Sequence, residues 1–325
     1  MLKCAEEVLM NEGVPEFHID PKRVADIIVD FLDQRLTQQG RDGILLGLSG
    51  GVDSAVVAAL AVRATGPRRV HALYLFDRDS AKRFRGYAQR WAARLGINFE
   101  ARNITSLVRE KGIYRPFVLR LTRLLPGLRK PFVYGLGRLY RLLAKGNPFD
   151  LVLQKGKPLK GRSAQTIYRA FVGGIERGFN VRHITRRQLL EEYASSRNLL
   201  LVSAANRSEY LVGWFVREGV DDLPVAPLLG LYKTQVRQLA HFLDVPREII
   251  AEAPSPDMFG DISDEAAIGF PYDKIDKVLY LIEHDQGEGL ALAEGLLRSD
   301  FDGIKRLYQL SAWKRETPHL YPLFH

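Results

Sequence analysis

Apolar residues recur at helical spacing from His18 to about Gln39, at Val24, Ile27, Ile28, Phe31, Leu32 and Leu36, behind an Asp20-Pro21 pair that supplies a cap and a first-turn proline. The pattern then changes. Gly43 to Leu48 is a short unbroken apolar run of the kind a buried parallel strand shows, it breaks at Ser49-Gly50-Gly51, and an Ala/Val-rich helix is predicted onward to about Thr65. Further strands are expected at Arg69–Phe76, Asn98–Ile104 and Asn198–Ser203, with helices over about 80–95 and 185–197 between them. Alternating strands and helices predict an α/β fold, a doubly wound parallel sheet flanked by helices. In such sheets ligands sit beyond the carboxyl ends of the strands. Two segments leave strands at that edge, Ser49–Ser54 and Ala204–Glu209.

The first of these has the chemistry of an anion loop. Adjacent glycines let the backbone turn sharply and bring its N–H groups to an anion, Ser49 and Ser54 add hydroxyls, and Ser54 is also placed to cap the helix that follows. Asp53 is out of place beside phosphate unless a cation lies between them, so the combination points to a magnesium-bound polyphosphate. No Gly-x-x-x-x-Gly-Lys-Ser/Thr loop is present, which disfavours kinase-type and GTPase-type sites.

Charge separates one segment from the rest. Between Lys111 and Arg162 thirteen Lys/Arg stand against the single acid Asp150, so this stretch carries more than the whole net charge of +9. It reads as a basic helical insertion over 112–162 within one domain spanning 1–325. Two short basic amphipathic helices are expected at 117–125 and 136–143, punctuated by Pro126-Gly127 and Gly146-Asn147-Pro148. Three uses of it stay open: a helical cap or oligomer contact, a membrane-surface anchor, or a nucleic-acid surface. The one cysteine, Cys4, excludes an intramolecular disulfide, the acidic start Met1–Glu7 lacks the features of a signal peptide, and no apolar run reaches the roughly 20 residues of a membrane span. A cytoplasmic protein is expected.

Ser49-Gly50-Gly51-Val52-Asp53-Ser54 resembles the loop of the PP-loop ATP pyrophosphatases, adenine nucleotide alpha hydrolase-like proteins that split ATP into AMP and pyrophosphate. Further blocks narrow the resemblance: Asp77–Ser80, Asn206–Glu209, Leu231–Arg237, Pro254–Phe259, Asp264–Gly269 and Trp313–Arg315 stand in the order found in the ammonia-dependent NAD synthetases, over 18–108 and 175–318. The resemblance implies an ATP-dependent ligase in which Gly47, Ser49, Gly50, Gly51, Asp53, Ser54, Ala204, Lys233 and Ser255 meet ATP, Asp53 and Glu209 take magnesium, and Asp53 and Lys233 are catalytic. Ala204 departs from a usual threonine.

On the acceptor side the resemblance implies substrate contacts at Arg186, Arg217, Trp313 and Lys314. Several positions there are changed. Ile184 replaces an arginine, Arg217 a lysine, Pro224 an aspartate, and Trp313 the histidine of a His-Lys pair; Asp221 and Asp222 fall one or two positions after the usual Gly-Asp. The implied reaction adenylates a carboxylate, nicotinic acid adenine dinucleotide first among candidates, and amidates it with ammonia, free or delivered by a separate partner. The Gly/Pro/Ser-rich stretch 254–263 with Asp264-Glu265 is expected to form a lid over ATP. A homodimer is implied as well. Two rival readings remain at this stage: a PP-loop enzyme acting on another carboxylate or on tRNA, and a nucleotide-binding relative without turnover.

Overall fold

The computed structural model describes residues 17–114, 148–154, 173–255, 263–286, 288–293, 295–315 and 321–322. Its first elements are helix α1 (Pro21–Gln38), strand β1 (Gly43–Gly47), helix α2 (Val52–Thr65), strand β2 (Val70–Phe76), helix α3 (Lys82–Leu95) and strand β3 (Asn98–Asn103). The chain returns to the sheet through helix α4 (Gly173–Ser196) and strand β4 (Leu199–Val202). It then continues as helix α5 (Arg207–Val212), helix α6 (Lys233–Phe242), helix α7 (Tyr272–Glu283) and helix α8 (Arg298–Leu310), with short turns of helix between. The four strands are parallel in the order β3-β2-β1-β4, with Ile44 opposite Val70 and Leu200. A two-residue strand, Val225–Ala226, continues the β4 edge, with Ser203 N–H donating to the Val225 carbonyl at 2.8 Å.

Alternation of side chains along each strand explains why the apolar runs are unbroken. Ile44, Leu46 and Leu48 enter the core beneath α1, α2 and α6, whereas Leu45 enters the core beneath α4. On β2, Ala72 and Tyr74 face the first core and Leu73 and Leu75 the second. A third core gathers α5, α7 and α8 around Tyr272, Ile275, Leu279 and Ile304. Asp20 caps α1 as expected, accepting from the backbone N–H of Lys22 and Arg23.

Helix α4 begins twelve residues before the predicted start at 185. Its first half carries Arg182 and His183, both buried, so hydrophobic periodicity does not mark it. Arg182 is sealed from solvent and bridges the carboxylates that end β2, Nε to Asp77 Oδ2 at 2.5 Å and Nη2 to Asp79 Oδ2 at 2.8 Å. This pair of bonds fixes α4 across the carboxyl end of the sheet.

The two basic helices expected at 117–125 and 136–143 lie outside the described residues. Of the segment's described residues, Ile113 and Tyr114 join the second core, and 148–154 returns to the third through Phe149 and Leu153. Among the described residues no helix is long and apolar enough to cross a membrane.

Candidate active site

Strand β1 ends at a loop that folds on its own hydroxyls. Ser54 Oγ accepts from Ser49 N–H at 3.1 Å, donates to the Gly51 carbonyl at 3.0 Å, and lies 3.0 Å from Ser49 Oγ. The N-cap of α2 is Gly51 and it has no side-chain cap, so the expected capping role of Ser54 is corrected: one turn in, its hydroxyl braces the loop instead. Gly50 has φ +86°, and a Cβ there would stand 2.4 Å from the Phe84 carbonyl, which is why the loop can press against the start of α3. The loop opens on a cleft at the carboxyl end of the sheet, lined also by Gly47, Ala204 and Ser255.

In the same cleft, three helix starts deliver one charged cluster. Asp53 lies in the first turn of α2, Glu209 in the first turn of α5, and Lys233 opens α6. Lys233 Nζ donates to Asp53 Oδ2 at 2.5 Å and to Glu209 Oε1 at 2.9 Å, while Asn206 Nδ2 donates to Asp53 Oδ1 at 3.1 Å. Asn206 is also the N-cap of α5, accepting from Glu209 N–H. Below the cluster Asp276 joins two of these helices: its carboxylate accepts from Ser208 Oγ at 2.5 Å and Thr234 N–H at 2.8 Å, and Ser208 Oγ accepts from Lys233 N–H at 2.8 Å. Asp53 and Glu209, 156 positions apart in the chain, thus meet on one ammonium.

The electrostatics favour a second cation. Burial pushes Glu209 up to about 8 against the attraction of Lys233, and it pushes Asp264, also in the cleft wall, up to about 7. Burial works against the Lys233 charge, but Asp53 and Glu209 outweigh it and hold the ammonium above the usual lysine range. Two acids, Asp53 and Glu209, share one buried ammonium, and Asp264 Oδ1 beside them has no hydrogen-bond partner. Among the described residues no three ligand-type side chains converge as a metal site by themselves. Two carboxylates completed by polyphosphate oxygens are the donor set magnesium takes, so the residues present fit that ion.

The acceptor-side residues divide. Arg186 lines the cleft, its Nε donating to the Leu75 carbonyl at 3.1 Å. Arg217, Trp313 and Lys314 lie outside that lining: Arg217 covers the Trp313 ring at 5.7 Å, and Trp313 Nε1 donates to the Leu153 carbonyl at 2.6 Å. Lys314, expected to meet substrate, instead is buried with its ammonium donating to the carbonyls of Gly213 and Phe215, where burial lowers it to about 8. Sequence reading gave no role to Asn206, Asp276, Tyr272 or His183. Only Asn206 carried a readable signal, an Asn three residues before a Glu at a helix start. The lid expected over 254–263 falls largely outside the described residues, and Asp264 stands in the cleft wall.

A glycine-serine anion loop at a strand–helix turn, joined in one cleft by a carboxylate–lysine cluster, defines a nucleotide-binding α/β protein. A model of the NAD synthase family matches residues 24–113 and 164–318, and the chain belongs to that family. The interruption coincides with the basic segment. An NH(3)-dependent NAD(+) synthetase of Thermotoga maritima is 35% identical over 296 residues, 90% of this chain and 96% of the relative. That of Coprothermobacter proteolyticus is 35% identical over 79% of this chain and 83% of its own length. Among solved structures, an NMN synthetase from Francisella tularensis shares the fold at TM-score 0.66 and 21% identity, covering 92% of this chain and 98% of its own. An NH3-dependent NAD synthetase from Campylobacter jejuni does so at TM-score 0.59 and 23% identity, over 93% and 100%.

Proposed function

We infer that this chain amidates nicotinic acid adenine dinucleotide with ammonia, at the expense of ATP, which leaves as AMP and pyrophosphate. The observation that carries the reading is the meeting of Glu209 and Lys233 with Asp53 of the Ser49–Ser54 loop, in a chain whose relatives are named for this reaction. A substrate carboxylate oxygen attacks the α-phosphorus, pyrophosphate departs, and ammonia displaces AMP from the acyl-adenylate. No protein nucleophile is needed, so the chain's work is orientation and charge neutralisation away from water.

The loop N–H groups and the Ser49 hydroxyl would hold the departing pyrophosphate, with Lys233 drawn from its carboxylates toward the phosphate oxygens. Asp53 and Glu209 would hold magnesium, which when bound supplies Lewis-acid neutralisation of the polyphosphate. A cytoplasmic homodimer completes the proposal.

The test supplies purified protein with ATP, ammonium and magnesium, and adds nicotinic acid adenine dinucleotide, the corresponding mononucleotide or nicotinate in separate reactions. Pyrophosphate and NAD+ are expected together with the dinucleotide, and chelation of the metal should abolish both. Release with another acid alone would reassign the substrate, and release with no acid would reject the ligase reading.

A further inference from the structure

The same cleft holds an imidazole that the adenylation chemistry does not use. His183, on α4, is 8% exposed and lines the cleft with Ser49, Asp53, Glu209 and Lys233, and its Nε2 has no hydrogen-bond partner. A buried polar atom left unpaired forfeits its hydration without return, so its retention at a ligand cleft calls for a use.

The surroundings hold the ring by both face and edge. Phe179 stacks on it with centroids 4.5 Å apart and planes 27° apart, and Phe179 in turn leans on Trp214. Asp221 Oδ2 lies 3.0 Å from His183 Nδ1, an ion-pair contact without the alignment of a hydrogen bond. Asp221 is delivered by a tight turn. Gly219 N–H donates to the Val216 carbonyl, Glu218 adopts φ +61°, and Glu218 N–H donates to Asp222 Oδ2 at 2.8 Å. A Cβ on Gly219 would stand 2.9 Å from the His183 Cβ, so only glycine lets the turn close this far onto the ring. Ser203 Oγ, at the end of β4, then fixes the Asp221 carbonyl at 3.2 Å, and Arg187 fixes the Asp222 carbonyl at 2.9 Å.

A carboxylate beside Nδ1 favours the tautomer protonated there and leaves the lone pair on Nε2, an unpartnered atom buried in the cleft wall. Contacts of this kind are commonly oblique before substrate binds and tighten in the complex. Of the other carboxylates in the cleft, Asp53 and Glu209 are engaged with Lys233 and Glu252 with Arg83 and Tyr87, while Asp264 accepts from Tyr272 at one oxygen and stands in the wall beside Lys233.

We propose that His183, oriented by Asp221, is the proton acceptor for the ammonia step. This rests on the amidation inferred above. The ammonia nitrogen bonds to the acyl carbon, the bond from that carbon to the adenylate oxygen breaks, AMP leaves with the electron pair, and the proton lost by nitrogen passes to His183 Nε2 and on to water.

His183→Phe keeps a flat ring against Phe179 and removes the acceptor; Asp221→Asn removes only the orienting charge. Exchange of labelled pyrophosphate into ATP, driven by the acid substrate, reads adenylation alone, and amide formation reads the whole reaction. In His183→Phe, exchange is expected to stay within about threefold of wild type while amide formation falls about 10²-fold or more and acid-quenched samples accumulate acyl-adenylate. Asp221→Asn should lose less, with the same split. Unchanged amide formation in His183→Phe, or an equal loss of exchange and amidation in a variant that melts like wild type, would overturn the assignment. Wild-type protein that neither exchanges nor amidates with any acid would instead remove the ligase reading, and this assignment with it.

Discussion

Lys233→Met is expected to lower pyrophosphate release about 10²–10³-fold, the usual effect of deleting one preorganised charge from the site of developing negative charge. It should also destabilise the protein without ligands. Lys233 is 1% exposed and is the ammonium on which Asp53 and Glu209 converge, and removing one partner from a buried ionic cluster costs about 3–5 kcal/mol. Glu209→Gln separates the two effects. Burial holds Glu209 near 8, far above the range of a carboxyl in an unfolded chain, so its contribution to stability is complete below the unfolded value and is lost as pH rises through about 8. Asp264, near 7, acts in the same sense. The wild-type melting temperature should therefore carry a falling contribution between pH 5 and 8.5 that Glu209→Gln reduces, while the same variant loses pyrophosphate release. A steeper fall in Glu209→Gln than in wild type would contradict this electrostatic account.

Arg182→Met should be the most destabilising change away from the cluster, by about 3–5 kcal/mol read from urea denaturation midpoints. Its guanidinium is fully buried and answers two carboxylates, Asp77, itself buried, and Asp79. Asp77 cannot turn to water, because its other oxygen already accepts from Asp79 N–H at 2.7 Å within the same turn. Neutralising the carboxylates should restore most of the loss, so the triple variant Arg182→Met, Asp77→Asn, Asp79→Asn is expected to lie closer to wild type than Arg182→Met alone. A loss below about 1 kcal/mol in the single variant would show that water reaches the pair. Helix α4 carries Arg186 and His183 into the cleft, so the single variant should also impair turnover.

The strand–loop–helix at residues 43–65 was legible because unbroken apolar runs, a Gly-Gly break and a capped first helix each have a local physical cause. The helix start at 173 was not. Two glycines followed by a mixture of charged and aromatic residues give no 3.6-residue stripe, and what holds that half-helix is Arg182 reaching carboxylates more than 100 positions earlier. Lys233 shows the same limit: alone it reads as a solvated lysine at a helix start, and its burial follows from partners 180 and 24 positions away. Resemblance supplied that pairing where pattern could not. Asp276 and His183 were invisible for a related reason, since each acts through groups placed by tertiary packing. Ser54 was misread because its loop hydrogen bonds compete with the cap geometry its position allowed.

A substrate carboxylate, not water, is expected to attack the α-phosphorus of ATP in this cleft. Nicotinic acid adenine dinucleotide labelled with oxygen-18 in its nicotinate carboxyl, turned over with ATP and ammonium and analysed by mass spectrometry, tests it directly. One labelled oxygen should appear in AMP and none in pyrophosphate. Unlabelled AMP accompanying the amide, or ADP and phosphate in place of AMP and pyrophosphate, would contradict the account.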